Sequence, residues 1–232
     1  MTSKRVLLTV LACLLFPGAA FSQRVQSRAQ EFIKRGNASY AKAAYESAIK
    51  EYRRVEASEG DAYAQALYNI GVCYYELGRT QDAITMYRLA IESSNGRYPR
   101  ASYALGVALE DLKQLTTAKQ AYRQAILASG GRYSVAFFKL GVIAAAEDDT
   151  ETAVALFREA ITRSKEAFPN SHNNLGVMLA RRGRLHEAKS EFEIALSEAK
   201  GTLPEAEHNL KLCLSLLRTP VNRQMLTQLI VK

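Results

Sequence analysis

Tryptophan is absent from the 232 residues, prolines number five and cysteines three. So few cysteines exclude a small scaffold stapled by disulfides. Histidines number three, and His172, His186 and His208 have no metal-ligand spacing. No glycine-rich phosphate loop follows a strand-like run, and no nucleophile stands beside a base. Neither an enzyme nor a cofactor is therefore expected. Beyond residue 16 no apolar run is long enough to span a bilayer. What remains is a chain with 48% hydrophobic residues, rich in good helix formers and ample for a packed core.

The first 22 residues read as a secretory leader. Lys4 and Arg5 give the positive start, and Val6 to Phe16 is an eleven-residue apolar run, too short for a membrane helix. Pro17 and Gly18 break it, and Ala20-Phe21-Ser22 offers small residues for cleavage before Gln23. Lipid attachment at Cys13 is disfavoured by bulky Leu11 and by the run continuing past the cysteine. The expected product is exported, periplasmic or at the cell surface, and not an integral membrane protein. Removing the leader takes away two basic residues and lowers the net charge from +8 to +6. A basic balance suits nucleic acid, but export removes that partner. The Asn37-Ala38-Ser39 sequon falls inside a predicted helix and is read as chance.

The remaining chain repeats itself. Gly36, Gly71, Gly106, Gly141 and Gly176 stand 35 residues apart. Ala48, Ala83, Ala118, Ala153 and Ala188 keep the same step, as do Tyr52, Tyr87, Tyr122, Phe157 and Phe192. A fixed period in this range means a stacked solenoid, which presents a long surface rather than a catalytic pocket. One unit fills residues 29–203 five times. Cys73 and Cys213 are 140 residues apart, four units, and neighbouring helices pack ~8–10 Å apart. They are too distant for a disulfide, which needs Cα atoms within about 7 Å, and are expected as free, half-buried thiols.

Residues 64–97 show how a unit folds. Leu67, Ile70, Gly71 and Tyr74 lie at helical spacing on a first helix from about Ala64 to Leu77. Gly78 supplies the turn. A second helix from Thr80 to Ser94 carries Ala83, Tyr87 and Ala90 on one face and ends at Asn95-Gly96. Gly71 and Ala83 mark the crossing of the two helices, Tyr87 fills the space they leave, and Ala90 admits the next unit. Prolines at 99, 169 and 204 suit the first turn of the next unit's first helix. Tyr63, Tyr98, Tyr133, Phe168 and Leu203 immediately precede those helices, as a hydrophobic staple would.

These residues resemble the tetratricopeptide repeat, in Leu67-x-x-Ile70-Gly71-x-x-Tyr74 followed by Ala83-x-x-x-Tyr87-x-x-Ala90. The period is one residue longer than usual and the proline is shifted to the following helix. The first unit is degenerate, with Arg35 before Gly36 and Ser39 in the tyrosine position. Pentatricopeptide repeats share the period but lack the Gly–Ala–aromatic framework. The resemblance implies an all-α, right-handed solenoid of five antiparallel helix pairs. After a leader over 1–22 and a short stretch over 23–28, the repeats fill 29–203. A capping helix over 204–218 would use Leu210, Leu214 and Leu217, and residues 219–232 form a partly apolar tail that docks, frays or meets a partner.

The resemblance further implies that first helices line a concave groove where a protein or peptide lies. It places Tyr68, Asn69, Val72 and Tyr75 on that wall, then Arg100, Tyr103 and Val107, then Phe138 and Val142, then Asn173 and Val177. Such an aromatic stripe suits an extended peptide or a helix; the alternative is that these residues only pack between units. Asn37, Asn69 and Arg100 match three places of a carboxylate clamp, but Ile33 and Ala104 stand where basic residues belong. On the second helices Arg53, Arg88, Arg123 and Arg158 form an outer row that ends at Glu193. That row is either a solvated face copied by duplication or a contact for an acidic protein, anionic lipid or cell-wall polymer. The expected function is a non-enzymatic interaction scaffold of the cell envelope; the alternative is a module binding cell-wall glycan or another anionic polymer through the arginine row. The oligomeric state is open.

Overall fold

The structure, a computed structural model, describes residues 17–218 and 223–231. Five helix pairs follow one another: α1 (Pro17–Tyr40) with α2 (Tyr45–Tyr52), α3 (Asp61–Glu76) with α4 (Thr80–Ser93), α5 (Pro99–Asp111) with α6 (Leu115–Ala128), α7 (Ser134–Ala146) with α8 (Thr150–Arg163), and α9 (Pro169–Arg181) with α10 (Leu185–Glu198). Then come α11 (Pro204–Arg218) and a four-residue turn of helix, α12 (Arg223–Leu226). No strand occurs among the described residues. Each helix packs on its partner and on the next in line, and α3 also touches α1 and α5, as α9 touches α7 and α11. The first helices therefore share one face of an all-α solenoid.

The crossing within each pair is where the repeated residues meet. A Cβ built on Gly106 would stand 2.5 Å from Cε1 of Tyr122, and on Gly141 2.7 Å from Cε1 of Phe157. Gly36, Gly71 and Gly176 face Tyr52, Tyr87 and Phe192 in the same way. Glycine inside a helix costs roughly 0.5–1 kcal/mol against alanine; here it admits a ring that is almost wholly buried. The alanines from Ala48 to Ala188 are fully buried beside these rings, and Ala90, Ala125, Ala160 and Ala195 let the next unit close in.

Turns within the pairs also keep register, but not residue type. Gly78 and Gly183 take φ of 71° and 76°, where a side chain is disfavoured. Ala43, Lys113 and Asp148 adopt the same left-handed conformation, at φ 55°, 60° and 60°. The missing glycine of the first unit therefore does not remove the turn; the packed crossing forces it. Proline starts α5 and α9 in the first helical turn, as expected.

α11 caps the last pair as expected, with Leu210 and Leu217 half-buried against the final apolar cluster and Leu214 half-buried beside them, while its fully buried row is Ala206, Asn209, Cys213 and Leu216. Ala206 follows Ala66, Ala101, Ala136 and Ser171 at the repeat step, so α11 is the first helix of a sixth, incomplete unit. Among the described residues no second helix crosses it, and the glycine position is occupied by exposed Lys211. The thiols of Cys73 and Cys213 are free but fully buried rather than half-buried. Burial pushes the Cys73 thiol up to about 11 and raises that of Cys213 as well, so neither is a ready nucleophile.

The positive start and apolar run expected of a leader, with Cys13, lie outside the described residues, and Pro17–Ser22 form the first turns of α1. The sequon also lies on α1. Among the described residues no helix is long and apolar enough to cross a membrane.

Candidate functional site: the first-helix face

Along α3, α5 and α7 the predicted stripe becomes a ladder of rings. Tyr68 lies between Tyr87 of its own pair, 5.9 Å away by ring centroids, and Tyr98 at the start of the next, 5.3 Å away. Tyr103 repeats this between Tyr122 and Tyr133 at 5.6 and 5.5 Å, and Phe138 between Phe157 and Phe168 at 5.9 and 5.2 Å. Tilted pairs at this spacing contribute ~0.5–1.5 kcal/mol each beyond area burial. Tyr98, Tyr133 and Phe168, each just before a first helix, thus do more than set its direction: they close a three-ring stack across the unit boundary, whereas Tyr63, expected to precede α3, lies inside it. Tyr68, Tyr103 and Phe138 stay half-buried on the first helices. Packing and exposure, taken as alternatives from sequence, coexist in each ring.

Polar groups frame the open stretch. The guanidinium of Arg100 lies 5.1 Å from the Tyr68 ring centre, a cation–π contact. Asn69 donates to Asn37 Oδ1 at 3.4 Å, and the Tyr52 hydroxyl donates to the same oxygen at 2.7 Å. Two members of the clamp pattern are therefore adjacent, but the Asn37 oxygen is already committed within the fold. The Tyr75 hydroxyl hydrogen-bonds to Asp111 of the next first helix, which together with burial pushes its pKa up to about 12. Val72, Val107 and Val142 are half-buried beside the rings.

The stripe changes character at α9. Asn173, in register with Phe138, Tyr103 and Tyr68, is fully buried, and so is Val177. They are not open groove wall, as the sequence suggests, because the chain's own tail lies over them. Asn209 Nδ2 donates to the carbonyl oxygen of Ile230 at 2.8 Å, and Asn209 Oδ1 accepts from the Ile230 N–H at 2.8 Å. Asn173 Nδ2 donates to the same carbonyl at 3.1 Å, while its Oδ1 accepts from Asn209 at 2.8 Å. Leu229 is 4% exposed and joins Val177, Cys213 and Leu216 in one apolar cluster. Met225, Leu226 and Val231 pack against that cluster. Of the three fates open to the tail, docking is the one observed. Asn209 escaped the sequence reading, although its signal was present: it stands one repeat beyond Asn174, which is in register with Asn69.

Elsewhere the polar chemistry is structural. His172 Nδ1 lies 2.7 Å from Glu191, tying α9 to α10, and Glu198 accepts from the Phe168 N–H at 2.8 Å. No metal-binding cluster occurs among the described residues. On the outer face Arg53, Arg88, Arg123 and Arg158 are exposed. Arg53 donates to the Tyr74 hydroxyl at 2.8 Å and so links the first two units. Arg88 lines a shallow cleft of about 380 Å³ with Ile91, Ser102, Leu105 and Gln124. Arg88, Arg123 and Arg158 make no ion pair among the described residues.

Family models described as tetratricopeptide repeat match residues 32–95, 103–172 and 138–204. Among curated proteins no sequence match is found. Solved structures with the same fold include pilF of Pseudomonas aeruginosa, 16% identical, covering 90% of this chain and 97% of that one with a TM-score of 0.65. MamA from Desulfovibrio magneticus RS-1 is 19% identical, with 75% and 97% covered and a TM-score of 0.59. YrrB, described as a repeat protein of this kind with an unusual peptide-binding site, is 20% identical, with 72% and 82% covered and a TM-score of 0.56. At these identities the likeness carries the fold alone.

Proposed function

We propose, from the premise that this chain belongs to the tetratricopeptide-repeat family, that it is a non-enzymatic interaction scaffold holding a protein segment on its first-helix face. Proteins of this family are generally protein-interaction scaffolds. The observation that carries the reading here is the half-exposed ring row of Tyr68, Tyr103 and Phe138, flanked by Val72, Val107, Asn69 and Arg100. Rings already fixed by two neighbours lose little entropy when a ligand covers them, as suits binding hot spots. The leader-like residues 1–22 support a place in the cell envelope.

Arg88, Arg123 and Arg158, without an ion pair among the described residues, support a second reading, an outer surface for an anionic polymer or cell-wall glycan. Capture of partners from an envelope extract separates the two, using wild type, Val72→Lys with Val107→Lys, and Arg88→Glu with Arg123→Glu. The valine changes charge the first-helix face while leaving the ring stacks in place, and circular dichroism checks that each variant folds. A protein lost with the valine pair and kept with the arginine pair supports the scaffold. Capture unaffected by the valine pair, with retention of anionic glycan abolished by the arginine pair, replaces it with the second reading.

A further inference from the structure

The tail is held by its backbone. Among the described residues Ile230 has no strand partner, yet its N–H and C=O are both satisfied by side-chain amides, in the manner of a residue added to a sheet edge. Its own side chain is 41% exposed, whereas Leu229 before it is almost wholly buried and Val231 after it is half-buried. His208 Nε2 lies 3.2 Å from the carbonyl of Gln228 and extends the same row of backbone contacts. The two amides that read Ile230 come from consecutive first helices, α9 and α11, beyond the last ring of the ladder, Asn173 in the register of the rings and Asn209 in that of Asn69. Side-chain shape is therefore read at 229 and 231, and backbone alone at 230.

We propose that the Asn173–Asn209 pair is a binding site for an extended segment of apolar–any–apolar pattern, and that residues 225–231 are its built-in competitor. The tail keeps the α9–α11 part of the face closed until a partner segment of the same chemistry displaces it. The site accepts main chain through paired amides and one buried aliphatic side chain, so charge plays little part in recognition. This rests on the reading of the first-helix face as a peptide-binding surface, but it fails separately. Its test needs no outside partner, and the capture experiment does not touch the tail.

The probe is a fluorophore-labelled synthetic peptide of residues 223–232, titrated by anisotropy against full-length chains. Ile230→Pro removes the N–H that Asn209 accepts while leaving the site intact; Leu229→Asp puts a charge where the apolar cluster closes. Both changes lie outside the helix pairs, so the array folds, and two independent releases guard against one being ineffective. The expected result is that either variant binds the peptide at least about tenfold more tightly than wild type. That factor corresponds to a tail seated about nine-tenths of the time, since apparent affinity falls with the competent fraction. Adding Asn209→Leu to Ile230→Pro is expected to abolish the gain. Equal binding by wild type and both tail variants, or binding indifferent to Asn209→Leu, overturns the proposal. So does sedimentation showing a wild-type dimer that Ile230→Pro converts to monomer, because the tail would then occupy a second copy.

Discussion

The two ends of the first-helix face are built on one scaffold and finished differently. From α3 to α7 the position that begins the stripe is a ring, Tyr68, Tyr103 or Phe138, braced by a ring on either side and half-buried. At α9 the same position is Asn173, fully buried under the tail. Between the crossings of the two halves there is no such difference. Gly106 receives Tyr122 as Gly176 receives Phe192, at almost the same separation. Repetition accounts for the architecture, and departures from it mark where the surface has been specialised.

The largest effect is expected from overfilling a crossing. Gly106→Leu in the open half and Gly176→Leu in the filled half should each cost ~1–3 kcal/mol in chemical denaturation, because the ring must leave its place. An unchanged melting temperature for either would show that the crossing is not the shared foundation. Next in size is Tyr103→Ala, which removes the middle ring of a stack and should lower stability by about 2 kcal/mol, less than for a fully buried aromatic. Asn209→Leu should by contrast leave the unfolding midpoint of the helix array within ~1 kcal/mol while releasing the tail. If Asn209→Leu proved the more destabilising of the two, the asparagines would be core residues rather than a site.

A smaller effect is expected at the turns. Lys113 holds a left-handed conformation that costs a side chain ~1–2 kcal/mol. Lys113→Gly should therefore stabilise by ~0.5–1 kcal/mol after the extra unfolded-chain freedom of glycine is subtracted. Gly183→Lys should lose a similar amount, since nothing crowds that position. Smallest of all, Arg88→Glu with Arg123→Glu should change stability by less than about 0.5 kcal/mol. A larger loss would mean that the outer arginines serve the fold.

The scaffold was legible because its physics is periodic: a glycine, an alanine and a ring must recur wherever two helices cross at the same distance. The turns were half-legible. Gly78 announces one, while Lys113 and Asp148 are driven into the same conformation by packing that no local signal records. The open part of the site could be placed from the resemblance, but the bracing of Tyr68 by Tyr98 needed the next unit's position in space. The filled part could not be placed, because it depends on a contact between residues 173 and 230. Asn209 carried a usable hint, being in register with Asn69 and Asn174. The tail carried only its apolar composition.

One end of the first-helix face carries half-buried rings and the other is closed by the chain's own tail. Hydrogen exchange at the Ile230 amide of the intact protein, followed residue by residue by NMR, tests this most directly. The amide is expected to exchange at least about tenfold more slowly than in Asn209→Leu, as a hydrogen bond to Asn209 Oδ1 requires. Equal, fast exchange in both chains would contradict it and leave the α9–α11 end of the face as open as the rest.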